Sequence, residues 1–361
     1  MSLTRFDSIA KSITERVDNP SESGCDRYVG LEHLDPDDIH LHRWGSPLDV
    51  GSTKLRFRAG DVIYGRRRAY QRKAVLVDFD GIASAHSLIL RAVDGVCLPE
   101  FLAYFLQAPI FSAKAIQISV GSLSPTINWG DLCKQEFDLP SIGESRRIVE
   151  LLRAVDAEIE AAALCEQRAQ SALFALGDDL VSRTSEAGSV SLGGLIRIRD
   201  RERIPVSAAE RERRLGPIPY FGATGRVGAI DDSIFNEELL LVGEDGVDFF
   251  SRDTHKCYRI NGPSWVNNHA HVLSLPNGED VSLLDFLEIY LNCISYRKFV
   301  NGSTRTKLTR GALESIRVPK LTPEERERVV TQAQLLKKTL NIETSSHARG
   351  LRSALLTELI G

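Results

Sequence analysis

Between Pro140 and Val181 the apolar residues fall at Ile148, Leu152, Val155, Ile159, Ala162, Ala169, Leu173, Leu176 and Leu180, in steps that alternate between four and three. The one slot that breaks the run, 166, holds a glutamate. A mean spacing of 3.5 is a heptad seam, and a seam this long needs a partner helix. Ser141, with Glu144 three residues on, has the pattern of a capping box at the helix start. At ~1.5 Å per residue the seam makes a rod of about 50 Å. Whatever else the chain contains must attach to that rod and to its partner.

The partner is in the same chain. Gly121-Ser-Leu-Ser-Pro and Gly302-Ser-Thr-Arg-Thr stand 181 positions apart, and the same offset carries Gly130 to Gly311 and Leu132 to Leu313. Val318-Pro319 to Glu324 then opens a second helix, as Leu139-Pro140 opens the first. Further back, Ala85 to Leu90 answers Asn268 to Leu273, and Arg58 to Tyr64 answers Asn236 to Val242. A period of about half the chain is two copies of one domain, not a solenoid. The boundaries that follow are 1–140 and 188–320 for the globular parts, with helices at 141–187 and 321–361.

Composition narrows the class. The chain is 361 residues with 42% hydrophobic and 26% charged content, ordinary for a soluble globular protein. No apolar run approaches the ~20 residues that span a membrane, and the charged N-terminal stretch has no signal-peptide core. The expected location is therefore the cytoplasm. Six cysteines lie without CxxC pairs, which reads as scattered buried thiols rather than zinc or disulfides. A net charge of −4 means that any binding of nucleic acid rests on local patches.

Taken in order, residues 1–20 space Phe6, Ile9, Ile13 and Val17 as a short amphipathic helix. Strands are expected near 28–31, 55–58, 62–64, 74–77 and 86–90, with helices over 99–106 and 110–116. Gly65 to Lys73 is a basic loop containing an aromatic. In the second copy, 218–228 reads as a glycine-punctuated loop, 239–242 and 272–275 as strands, and 283–295 as a helix. The 197–214 run mixes arginines with acids and fits a solvated helix with i, i+4 pairs. Short strands with two helices per copy make an α+β domain with a curled, mostly antiparallel sheet.

On these residues the chain resembles the specificity (S) subunit of a type I restriction-modification system. The resemblance rests on Gly60-Asp61-Val62-Ile63, on Asn128 to Leu132, and on Leu139-Pro140 followed by Arg147-Ile148-Val149. In the second copy it rests on Tyr220 to Gly225, Asn267-Asn268-His269, and Val318-Pro319 to Glu325. It implies two similar α/β target-recognition domains joined by two long helices that pair as an antiparallel coiled coil, with a pseudo-twofold internal repeat. It further implies that each domain reads one half of a split DNA site. The helices then set the spacing and dock two methyltransferase subunits, with restriction or motor subunits as further partners. The chain itself is expected to be a non-catalytic subunit of an enzyme complex, with S-adenosylmethionine and ATP held by those partners in a prokaryotic, nucleoid-associated setting.

Recognition chemistry then selects residues. Arg and Lys displace counterions from phosphates, while Arg reads guanine and Asn or Gln reads adenine in the major groove. Arg66, Arg67, Arg68, Gln71, Arg72 and Lys73 suit those roles on one loop, with Thr126 and Asn128 nearby in the repeat pattern. Tyr220, Arg226, Asn267, Asn268, Arg305, Lys307 and Arg310 are their counterparts in the second copy. His86 and His269 hold matching places, more readily explained by structural hydrogen bonds than by base contacts. Ile148, Leu152, Val155, Ile159, Leu173, Leu336 and Leu340 are the expected interhelix positions. Glu166 and His347 are expected to face each other as polar core residues that fix register.

Missing motifs matter as well. The chain has no Walker A loop, no methyltransferase glycine fingerprint after a strand, and no catalytic triad or metal-ligand spacing. A turn explains Gly222 to Gly228 better than a cofactor loop. The alternative function is a non-enzymatic coiled-coil scaffold, or a DNA mimic or relic, in a phage-defence complex; the basic loops disfavour a mimic.

Overall fold

Val62-Ile63-Tyr64 is buried on both faces, as a central strand flanked by partners and covered on each side must be. In the computed structural model, which describes residues 3–186, 188–276, 280–302, 306–341 and 344–360, this strand organises the first of two units. That unit comprises 1–163 with 343–361, and the second comprises 164–342.

In the first unit, Val62–Gly65 lies between Ser87–Ala92 and Ala74–Leu76, and Ala10–Ile13 flanks Ser87–Ala92, all antiparallel. A second sheet runs Arg16–Val17, Lys54–Phe57, Gly81–Ser84, Tyr28–Val29, its last pair parallel. Helices Pro99–Gln107 and Pro109–Gln117 cover one face. Each begins with proline, whose fixed φ and missing N–H suit a first turn. Phe6, Phe105, Phe111 and Phe137 pack there with ring centroids 5.0–6.4 Å apart. On the other face Ile63, Val75 and Ile89 meet Val29, Leu34 and Phe57.

The second unit repeats the ladder. Leu239–Gly243 lies between Ala270–Ser274 and Cys257–Ile260, with Arg197–Ile198 outside Ala270–Ser274. Its second sheet runs Gly225–Ile230, Ile218–Gly222, Pro263–Val266, Phe235–Asn236, and Ile218–Gly222 pairs parallel with Pro263–Val266. Lys54–Phe57, Gly81–Ser84, Tyr28–Val29 and Phe235–Asn236, Pro263–Val266, Ile218–Gly222 share one order, each ending in a parallel pair, so the repeat extends to topology; the fourth strand joins on opposite sides. Helix Ser282–Cys293 packs against Cys257–Ile260, where Asn292 Oδ1 accepts from the Lys256 N–H at 2.7 Å and Nδ2 donates to the Cys257 carbonyl at 3.0 Å.

The long helix spans Ile142–Glu186, 45 residues, and Ser141 Oγ accepts from the Glu144 N–H at 3.3 Å. Its seam is real: Ile148, Leu152, Val155, Ala162, Ala169 and Leu180 are buried, and Ile159, Leu173 and Leu176 are half-buried. Ile148 and Leu152 share a core with Leu356 and Ile360 in the first unit, and Leu180 shares one with Val329, Val330 and Ala333 in the second. The later helical segments are Pro323–Asn341 and Thr344–Ile360. The first opens with a reciprocal cap, Glu325 N–H to Thr322 Oγ1 at 3.3 Å and Thr322 N–H to Glu325 Oε2 at 2.8 Å.

Several expectations need correction. Among the described residues before Pro20 only Phe6–Ile9 is helical, because Leu3–Arg5 pairs with Glu136–Asp138 and Ala10–Ile13 with Ser87–Ala92. The 218–228 segment is a hairpin rather than a loop, turning at Ala223-Thr224. Of the 197–214 run only Ala208–Arg211 is α-helical. Its arginines strap the unit instead: Arg203 Nη1 donates to Glu244 Oε2 at 2.8 Å, and Arg214 lies over the Trp265 ring at 4.6 Å. The cysteines are free but not uniformly buried: Cys97 and Cys257 are, and Cys165 is exposed.

Candidate nucleic-acid interface

Past Gly65 the chain leaves the central strand of the first unit and turns outward through three arginines. A second loop holds this one in place. Arg67 bridges Thr126 antiparallel, the Arg68 N–H donates to the Pro125 carbonyl at 2.8 Å, and the Ile127 N–H donates to the Arg66 carbonyl at 2.9 Å. Arg68 and Arg72 have φ of 55° and 49°, left-handed values that non-glycine residues seldom adopt and that mark strain held by the surroundings. Between them Ala69 is buried as an anchor and Tyr70 is thrown outward, 56% exposed. On the supporting loop Leu123 is 95% exposed.

Arg66, Arg67 and Arg68 make no ion pair among the described residues. Arg66 Nε is buried without a hydrogen-bond partner. The field of this cluster is felt nearby: burial, and then the guanidinium groups of Arg67 and Arg66, push the His86 imidazole below its ordinary value. Two other cations of the loop are engaged within the fold. Arg72 pairs with Asp37 at 2.8 Å, and Lys73 Nζ donates to the Leu31 carbonyl at 2.9 Å. Gln71 is half-buried, the Thr126 hydroxyl donates to the Ser124 carbonyl at 3.1 Å, and Asn128 is exposed.

In the second unit Gly243 ends the equivalent strand, and Asp245 bridges Lys307. Glu244 meets Lys307 Nζ at 2.9 Å and Arg203 at 2.8 Å, while Asp245 meets His269 Nδ1 at 2.6 Å. Burial raises the Glu244 carboxyl, but Lys307 and Arg203 outweigh it and hold the group below its ordinary range. Arg310 pairs with Glu314 at 2.8 Å. Arg226 is exposed, its Nε donating to the Gly228 carbonyl at 3.1 Å, and Asn268 is exposed. Asn267 is turned inward: Oδ1 accepts from the His269 N–H at 2.8 Å. Tyr220 is a correction, since it is 1% exposed under the Arg211 guanidinium and so reaches no ligand. Arg305 and Ser303 lie outside the described residues.

Asp200, Glu244 and His271 converge with candidate ligand atoms within 4.8 Å of one another. Their atoms are already committed. His271 Nδ1 meets Asp200 Oδ2 at 2.6 Å, its Nε2 meets the Leu308 carbonyl at 2.8 Å, and Arg203 and Lys307 occupy the cation's place beside Glu244. The cluster is an ion-pair network that fastens the 307–308 strand to the sheet.

On the helices, Ile148, Leu152 and Val155 are buried, and Leu336 and Leu340 are half-buried. Glu166 is half-buried in the second unit; His347 is exposed in the first, where the buried face of its helix runs Ala348, Arg352, Leu356, Ile360. Sequence reasoning noted the aromatic in the 65–73 loop without selecting Tyr70 as a site residue, and missed Leu123 as an exposed tip. The signals were the arginines bracketing Tyr70 and the small, polar neighbours of Leu123.

No known family profile matches the chain. A stretch of 104 residues is 33% identical to a protein named as a type I restriction enzyme specificity subunit of Haemophilus influenzae, covering 29% of this chain and 26% of that protein. Another of 154 residues is 26% identical to the type I restriction enzyme EcoDI specificity subunit of Escherichia coli, covering 40% of this chain and 32% of that protein. The chain thus matches only about a quarter to a third of the length of these relatives. Similarity of fold extends further. The type I restriction-modification S subunit from M. genitalium aligns at a TM-score of 0.61 and 15% identity, covering 100% of this chain and 96% of that one. A chain from a structure described as that of a type I restriction-modification system in assembly and conformational transition aligns at 0.60 and 19% identity, covering 99% and 97%.

Proposed function

We propose that this chain, whose fold is that of type I restriction-modification specificity subunits, is the DNA-reading component of such a complex and carries no chemistry of its own. The observation that supports this reading best is the repeated ladder: the same four-strand order in the central sheet, and the same three strands with a parallel pair in the second sheet, occur twice, each followed by a long helical segment. Two similar readers in one chain suit a bipartite, asymmetric DNA site. Loops 65–72 and 120–128 of the first unit, and Arg226 and Asn268 of the second, are the contacts proposed to duplex DNA. The helices are proposed to set the spacing and to dock two methyltransferase subunits. S-adenosylmethionine, and ATP where a motor subunit joins, belong to those partners. The setting is the cytoplasm of a prokaryote; no helix among the described residues is long and apolar enough to cross a membrane.

Mapping methylated adenine in cells that carry the chain with a neighbouring methyltransferase tests this reading. A split motif is expected, and deleting 188–320 is expected to remove one half-site. Absence of methylation, together with no preference of the purified chain among duplexes, would leave a scaffold as the better account.

A further inference from the structure

Equivalent loops of the two repeats carry opposite charge. Gly65 and Gly243 end equivalent central strands, and the residue two beyond each, Arg67 and Asp245, makes an antiparallel bridge. The bridged partners, Thr126 and Lys307, are themselves 181 positions apart, the offset of the repeat. The backbone frame is thus the same in both units and only the side chains differ. In the first frame, among the described residues, Arg66, Arg67 and Arg68 stand without a carboxylate, and the bridged partner is neutral. In the second frame Glu244 and Asp245 take those places; Arg203 and Lys307 pair with Glu244, and Asp245 meets the His269 ring at 2.6 Å.

We infer that, of these two equivalent loops, the first unit's 66–68 loop holds phosphate, and that the second unit's loop approaches DNA without releasing counterions. This rests on the DNA-reading function proposed above. A guanidinium already paired with a carboxylate gains little by meeting a phosphate, whereas an unpaired one displaces a condensed cation from the duplex for each contact. The left-handed backbone at Arg68 and the bridge from Arg67 to Thr126 hold these two exposed guanidinium groups outward before any ligand arrives. The two loops therefore differ in kind: the first is felt through salt, and the second adds no counterion release of its own.

The test is the slope of log binding constant against log salt for the full chain on a mixed-sequence duplex, where non-specific electrostatics dominate. R67A/R68G removes two guanidinium groups, and glycine accepts the left-handed backbone without strain. The slope is expected to fall by about 1.8, at about 0.9 per lost contact. D245R places a positive charge in the second frame, and the slope is expected to rise by about 0.9. R67K/R68K retains the charge and is expected to retain the slope. An unchanged slope in R67A/R68G, no rise in D245R, or an equal fall in R67K/R68K overturns the inference. A wild-type chain that binds no duplex in a salt-dependent way defeats the DNA-reading function itself, an outcome separate from wild-type binding with unaltered variants.

Discussion

Arg352 donates through Nε to Asp156 Oδ1 at 2.6 Å, with both side chains buried. The Tyr104 hydroxyl donates to the other carboxylate oxygen at 2.6 Å, a second Arg352 N–H donates to Gln107 Oε1 at 2.8 Å, and Gln107 donates to the Ala74 carbonyl at 2.9 Å. Every member is satisfied, so the loss of one leaves the others stranded. R352A is expected to cost about 3–5 kcal/mol, because it leaves a buried carboxylate uncompensated. The measurement is urea unfolding of the full chain. D156L/R352M is expected to recover part of that loss, since apolar replacement of a whole buried pair is often neutral or better. A loss below about 1 kcal/mol in R352A would show a surface-like pair.

Gly177 sits in the long helix facing Cys293, the last residue of helix Ser282–Cys293. A Cβ there would lie 2.5 Å from the Cys293 Cβ, closer than real side chains allow. G177A gains about 1 kcal/mol in helix propensity and meets overpacking of about 1–3 kcal/mol. The second term is expected to win, because Cys293 Cβ is fixed to its backbone and cannot swing away. The same substitution at Gly143, where nothing lies within 4 Å, is the control and is expected to stabilise or be neutral. Thermal unfolding of the two variants separates the terms.

His40 couples the 35–42 loop to the long helix. Its Nδ1 lies 3.2 Å from Asp38 Oδ1 and 3.8 Å from Glu160 Oε1. The hydrogen bond donated to Asp38 raises the imidazole above its ordinary 6.5; burial opposes this, and the charges of Asp38, Asp156 and Glu160 add to the rise. A raised folded value means the stabilisation is complete below the unfolded value and fades as pH climbs through the folded one. The stability gap between wild type and H40Q is therefore expected to be widest below about pH 6 and to close in the alkaline range. A gap that widens with rising pH contradicts this assignment.

Asn267 and Asn268 are neighbours with different tasks. Asn267 spends its carbonyl oxygen on the turn, while Asn268 presents its amide to solvent. N268A is expected to relax recognition at one base position by about 1–3 kcal/mol, the worth of a bidentate base contact. N267A is expected to lower unfolding stability without changing the methylated motif. Motif mapping combined with thermal unfolding distinguishes the two.

The long helix was legible because a heptad seam is a local pattern, and the central strands were legible because each is an apolar run bounded by polar or glycine residues. Other features depended on partners far along the chain. Phe6, Ile9, Ile13 and Val17 have helical spacing, yet Ala10–Ile13 answers to Ser87–Ala92, and pairing overrode periodicity. Tyr220 lies beside glycines in a hairpin, but it is an inward residue of a strand. Arginines look alike in a sequence. Whether one is free, like Arg67, or held, like Arg72 by Asp37, is decided by a carboxylate elsewhere in the fold.

Residues 343–361 belong with 1–163, and everything in the second unit lies between them in the chain. A ribosome therefore delivers the second unit as one uninterrupted stretch, free to fold as it emerges. The first unit, begun earlier, is completed only when Arg352, Leu356 and Ile360 are made and can close its core. A nonsense codon just past 342 would damage the unit synthesised first and spare the one synthesised after it.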